Sequence, residues 1–134
     1  MGFFNILNVA ATGLSAQRIR INVISSNLAN VNTTKTETGE PYKRKDLIFR
    51  EVLDGEFKGG VKVENIVEDK KPFVLKYEPG HPDANEEGYV QYPNVNPIEE
   101  MVNMIEATRS YEANVTVLNT AKQLAMRALE IGRG

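Results

Sequence analysis

FFNILNVAATGLSAQRIRINVISSNLANV, residues 3–31, repeats its apolar side chains in sevens. Leu7, Leu14, Ile21 and Leu28 form one register. Phe3, Ala10, Gln17, Ile24 and Val31 form a second, offset by four and three, and only Gln17 is polar. Side chains spaced alternately by three and four return to one face of a helix, and a sustained heptad predicts that another helix covers that face. At 1.5 Å per residue the helix is roughly 40 Å long. It runs into SSNLANVNTTKT, residues 25–36, where Asn27, Asn30 and Asn32 crowd the end. Asn is a poor helix former, because its amide competes for nearby backbone groups. Leu28 and Val31 continue the apolar seam, Asn27 and Asn30 fall on adjoining faces, and Asn32 with the threonines releases the chain.

The C-terminal third repeats the signal. Asn96 is placed as an N-cap, Pro97 suits the first helical position, and Glu99 stands where a capping box places a carboxylate. Met101, Met104, Thr108, Tyr111, Val115, Leu118, Lys122, Ala125 and Leu129 then follow a four/three spacing. Gly132 reads as a stop, which predicts a helix over 97–131, roughly 50 Å long.

Between these helices KDLIFREVL (45–53), GVKVENIV (60–67), FVLKYEP (73–79) and GYVQY (88–92) read as short strands, separated by Gly- and Pro-containing turns. They predict a small antiparallel sheet or partial barrel, entered through a polar linker at 33–44. The fold class is therefore α+β: long N- and C-terminal helices packed as a coiled-coil-like pair, with a small antiparallel β insert. The expected division is 1–32, 33–95 and 96–134. Even a paired helical hairpin leaves Phe4, Ile6, Val9, Ile105, Val117 and Leu124 beside the seam. That width predicts further helices from other subunits.

Catalytic chemistry finds little support. The 134 residues include no Cys and one His, which excludes disulfides, thiolate nucleophiles and Cys-based zinc sites. His81 sits between Gly80 and Pro82 and reads as a surface turn residue. DANEEG (83–88) resembles the start of a calcium loop, but the twelfth position is Asn94 instead of Glu. YKRK (42–45) is a short basic run: a solvated linker, or a contact for an acidic neighbour or nucleic acid, with too few aromatics beside it to favour nucleic acid. A net charge of -2 gives no general pull toward nucleic acid. Residues 1–17 carry no charged side chain and mix Asn5, Asn8, Thr12, Ser15 and Gln17 among apolar ones, unlike a cleavable secretory signal.

SSNLANVNT resembles the signature of bacterial flagellar rod and hook proteins, and MIEATRSYEANVTVLNTAKQLAMRALEIG (104–132) is similar to their terminal helix. YEPGHPDANEEGYVQYPNVNPIEEMVNMIEATRSYEANV (77–115), GEPYKRKDLIF (39–49) and GGVKVENIVED (59–69) resemble the short proximal-rod members of that family. TTKTETGEPY departs from the TPGY- or TGF-like turn that many relatives have after the Asn motif. The resemblance implies a non-enzymatic structural subunit of the proximal rod, without cofactor, small-molecule substrate or nucleic acid. It implies helical assembly with other copies and other proximal-rod proteins. The distal-rod protein and the rod adaptor near the inner-membrane ring are further implied neighbours. The terminal helices would form an inner tube around an export channel, in a periplasmic drive shaft reached by type III export without a cleaved signal. On that reading Leu7, Leu14, Ile21, Ile24, Leu28, Val31, Met104, Tyr111, Val115 and Leu118 are the subunit-interface positions. Asn27, Asn30, Asn32, Asn114 and Asn119 are the amides expected to set register between subunits. An adaptor that grips partner helices is the competing non-enzymatic reading.

Overall fold

A computed structural model describes residues 2–133, so the outermost residues of the expected divisions, 1 and 134, lie outside it. The order is α1 (Phe3–Ala29), β1 (Lys45–Glu51), β2 (Val61–Glu68), β3 (Val74–Tyr77), β4 (Tyr89–Tyr92) and α2 (Pro97–Arg133). The α+β arrangement is as expected: two long helices enclose a small antiparallel insert in sequence. Asn96 caps α2, its Oδ1 accepting the N–H groups of Ile98 at 3.0 Å and Glu99 at 3.4 Å. The expected stop at Gly132 does not occur, since α2 continues through it to Arg133. One Gly costs only about 1 kcal/mol in a helix, too little to end 37 residues on its own.

The two helices pack antiparallel. A Cβ on Gly13 would lie 2.8 Å from Asn114 Nδ2, and Arg20 Nη2 is 3.3 Å from Glu106 Oε2. In α1 the register of Ala10 and Ile24 is buried as expected. In α2 the register of Met104, Tyr111, Leu118 and Ala125 is half-buried, again as expected. The second register of α2 is one residue away from the expected one. Glu100, Ala107 and Ala121 are buried and Asn114 half-buried, whereas in the expected register Val115 is half-buried and Met101, Thr108, Lys122 and Leu129 are exposed. Close approach of two helices selects small side chains at the crossing, and apolar size is a poor guide to them.

The insert is two separate hairpins, where a single sheet or partial barrel was expected. β1 pairs with β2, with an irregularity between Ile48 and Phe49, and β3 pairs with β4. The chain between β2 and β3 is held instead by a side chain: Asn94 Nδ2 donates to the carbonyls of Asp69 (3.1 Å) and Lys71 (3.0 Å). Residues 33–44 are no free linker. Thr36 and Tyr42 make backbone bonds back to Glu40 and Thr33, and Pro41 and Tyr42 are buried. All four β3 residues are exposed, while Val90 of β4 and Pro93 just after it are fully buried. Such hairpins are marginal alone and depend on the helices beneath them. No helix among the described residues is long and apolar enough to cross a membrane.

Candidate functional site: helix faces and a polar junction

The β1–β2 hairpin lies along α1. Thr12 Oγ1 donates to the Val9 carbonyl at 2.6 Å and accepts the Val61 N–H at 3.1 Å. A Cβ on Gly60 would come within 2.5 Å of that hydroxyl, so only Gly admits this approach.

At the other end of α1 a polar junction joins α1, the start of β1, the segments flanking the second hairpin and the start of α2. Asn27 is fully buried. Its Nδ2 donates to the Lys45 carbonyl at 2.9 Å, and its Oδ1 accepts the Lys45 N–H at 2.9 Å and the Tyr42 hydroxyl at 2.8 Å. The start of β1 is thereby paired to α1 as if to a strand. Asn30 turns inward along the chain: its Nδ2 donates to the Ser26 carbonyl at 2.8 Å and its Oδ1 accepts from Thr33 at 3.1 Å. The amide completes the last turn of the helix, where backbone carbonyls lack partners.

Beside it, Arg44 Nε donates to Glu100, whose side chain is 1% exposed, while Arg44 Nη1 lies 3.3 Å from both Asp46 and Asp69. Burial works against the Arg44 charge. The hydrogen bond and charge of Glu100, joined by Asp46, outweigh it and hold the guanidinium above the ordinary arginine range. Asn94 Oδ1 accepts the Arg44 N–H at 2.7 Å. One cluster therefore fastens the end of the 33–44 segment, both hairpins and the start of α2. The basic run YKRK is thus neither a solvated linker nor free for an outside partner at Tyr42 and Arg44. Sequence reasoning missed Glu100 and Asn94, because a charge beside a helix start and an amide in a loop are ordinary solvent-facing residues. The one available signal was Arg44, in a basic run two residues after Tyr42 and next to a strand.

The expected interface positions fall into a pattern. Ile24 is buried, while Leu7, Leu14, Ile21, Leu28, Val31, Met104, Tyr111, Val115 and Leu118 are half-buried. By helical spacing, Leu7, Leu14, Ile21 and Leu28 share the flank of α1 turned away from Val9, Thr12 and Asn27, which meet the hairpin. The helix pair therefore presents a half-covered apolar groove on its hairpin-free side. Of the amides, Asn27 and Asn30 make the bonds within the chain described above, Asn114 faces Gly13, and Asn32 and Asn119 are exposed.

Known proteins match the sequence from end to end. The chain is 47% identical to the flagellar basal-body rod protein FlgC of Borreliella burgdorferi, with all of both chains covered. It is 49% identical to that of Bacillus subtilis and 43% identical to that of Salmonella typhimurium, with 99% of this chain and 100% of each relative covered. The chain belongs to the FlgC family of flagellar basal-body rod proteins. Two family domains also match: "Flagella basal body rod protein" over residues 7–35, and "Flagellar basal body rod FlgEFG protein C-terminal" over residues 86–131. They fall on α1 with its turn and on β4 with α2. FlgC-family proteins are structural components of the rod, and no enzymatic activity belongs to the family.

Proposed function

We propose that this rod protein is a proximal-rod subunit whose helices form part of an inner tube and whose insert faces outward. The division into 1–32, 33–95 and 96–134 then separates tube-forming helices from the outer unit. The supporting observation is the half-covered groove along the hairpin-free side of the helix pair, in a chain related to FlgC over its whole length. A heterologous contact that does not close generates a helical stack, and a stack that transmits torque needs fixed register as well as burial. Asn32 and Asn119 are exposed and supply it, whereas Asn114 packs against Gly13 within the chain. Asn27 and Asn30 act one step back, by setting the insert on its own helix. The partners are other copies, the other proximal-rod proteins, the distal-rod protein and the rod adaptor at the inner-membrane ring. The chain reaches the periplasm by type III export without signal cleavage, in keeping with an α1 whose apolar run is interrupted by amides and hydroxyls.

Ile21 tests the groove. It is half-buried, so Ile21→Asp places a charge on the groove without emptying the core. The variant is expected to be exported and to keep its helical circular dichroism, yet to be absent from purified basal bodies by mass spectrometry, with motility lost. Basal bodies that contain the Ile21→Asp chain at the normal level contradict this use of the groove.

A further inference from the structure

His81, the one histidine of the chain, is half-buried in the turn that joins β3 to β4. Its Nδ1 accepts the N–H of Asp83 at 3.0 Å. An Asn or Asp side chain that opens a turn accepts the N–H two residues on in the same way. The imidazole differs from those side chains in one respect. It accepts at Nδ1 only while the ring is neutral, with its proton on Nε2. Histidine is also the side chain whose ordinary charge change falls between pH 5 and 8.

Asp83 carries a second bond. Its Oδ2 accepts from Thr34 Oγ1 at 2.7 Å, which ties the turn to the 33–44 segment. The same short turn therefore holds an acceptor that protonation removes and a carboxylate that an imidazolium attracts. The other groups around the ring come from both strands and from the 33–44 segment. Tyr92 of β4 meets the ring edge-on at 6.2 Å between centroids, and its hydroxyl donates to Glu78, just after β3, at 2.8 Å. Lys76 of β3 lies over the Tyr92 ring at 4.5 Å. Lys35 lines the groove of Thr34 and Asp83, and Glu86 and Glu87 of the turn itself are exposed.

We propose that His81 is an acid-sensitive catch between the second hairpin and the 33–44 segment. Above its titration the neutral ring accepts the Asp83 N–H, and the Asp83 carboxylate stays with Thr34. Once Nδ1 takes up a proton it becomes a donor, and two N–H groups cannot form one hydrogen bond. The imidazolium then donates to the Asp83 carboxylate, a charge-assisted bond that takes this group from Thr34. The turn comes away from the 33–44 segment. The Asn94 bonds to the carbonyls of Asp69 and Lys71 are made by groups that do not titrate, so the base of the hairpin stays in place. The catch is a property of the single chain and stands or falls apart from the rod reading.

A single histidine leaves one imidazole to follow. In isotope-labelled full-length protein, nuclear magnetic resonance tracks the ring through its titration. It also reads the hydrogen bond itself, as a scalar coupling between the Asp83 backbone nitrogen and His81 Nδ1. That coupling is expected at neutral pH and should vanish with the midpoint of the ring. Asp83→Asn removes the carboxylate and should lower the midpoint by about half a unit, roughly a three-fold change in proton affinity. Thr34→Ala frees the carboxylate and should raise the midpoint by about as much. His81→Asn keeps an acceptor that acid does not remove, so the Thr34 and Asp83 signals should then ignore pH between 5 and 8. No coupling at neutral pH overturns the catch, as does a coupling that survives protonation of the ring. A midpoint that fails to move in the stated direction in either variant overturns it too. So do Thr34 and Asp83 signals that still follow pH in the His81→Asn chain.

Discussion

Asn27 both donates to and accepts from the backbone of Lys45, so one amide pairs with the start of β1 as a neighbouring strand would. Asn27→Ala leaves the Lys45 N–H and carbonyl and the Tyr42 hydroxyl without this buried partner. An unsatisfied buried group costs about 1–3 kcal/mol, and a loss of that order is expected in denaturant unfolding, together with faster hydrogen exchange at the Lys45 amide. An unchanged midpoint and unchanged exchange contradict the anchoring role. Arg44 raises a different issue, because its partner Glu100 is nearly fully enclosed. Arg44→Met strands that carboxylate, which costs about 3–5 kcal/mol when a buried pair is broken from one side. Adding Glu100→Leu removes the stranded charge and should recover most of the loss. Equal destabilisation by the single and double variants shows that packing, not charge, holds the junction. Neither pair was legible from the sequence as a pair, because Arg44 and Glu100 are 56 residues apart and meet only once both hairpins are in place.

Gly13 carries the corresponding argument for the helices. A glycine inside a helix costs about 1 kcal/mol against alanine, so its place in the middle of α1 calls for a packing reason. The reason is the amide of Asn114, which occupies the space a side chain would take. Gly13→Leu should lower the melting temperature through overpacking of about 1–3 kcal/mol. Asn114→Ala in the same chain should return part of that loss, read as a coupling in a double-mutant cycle. Strict additivity contradicts direct packing between the two. The same residues show what the heptads could and could not convey. The apolar repeats announced both helices, their pairing and their approximate ends. They also named Ala10 with Ile24, and Met104 with Tyr111 and Leu118. They misplaced the other α2 register by one position because large apolar side chains dominate any periodicity. The closest approach belongs to Gly13, Ala107, Asn114 and Ala121, whose small or polar side chains contribute little to that pattern. The strands were legible from their β-branched and aromatic runs, but their division into two hairpins goes with the bonds of Asn94 and the packed 33–44 segment. Nothing local in those strand runs encodes either.

At the scale of the whole molecule the chain buries little. Its buried aliphatic side chains are mostly alanine and valine, while Phe4, Leu53, Leu75, Leu124, Leu129 and Ile131 are exposed. A chain with so thin a core and such long helices has its larger apolar surface available to neighbours, as the proposed assembly requires. The polar junction gives that surface a defined outer unit, since it locks both hairpins to the ends of α1 and α2 that lie together. The most direct test of the central claim is an electron-microscopy map of an intact basal body containing this subunit. α1 and α2 are expected in the wall of the inner tube, with both hairpins outside it. Neighbouring chains should cover the groove of Leu7, Leu14, Ile21, Met104, Tyr111 and Leu118. A map in which that groove faces solvent and the hairpins alone join the subunits contradicts it.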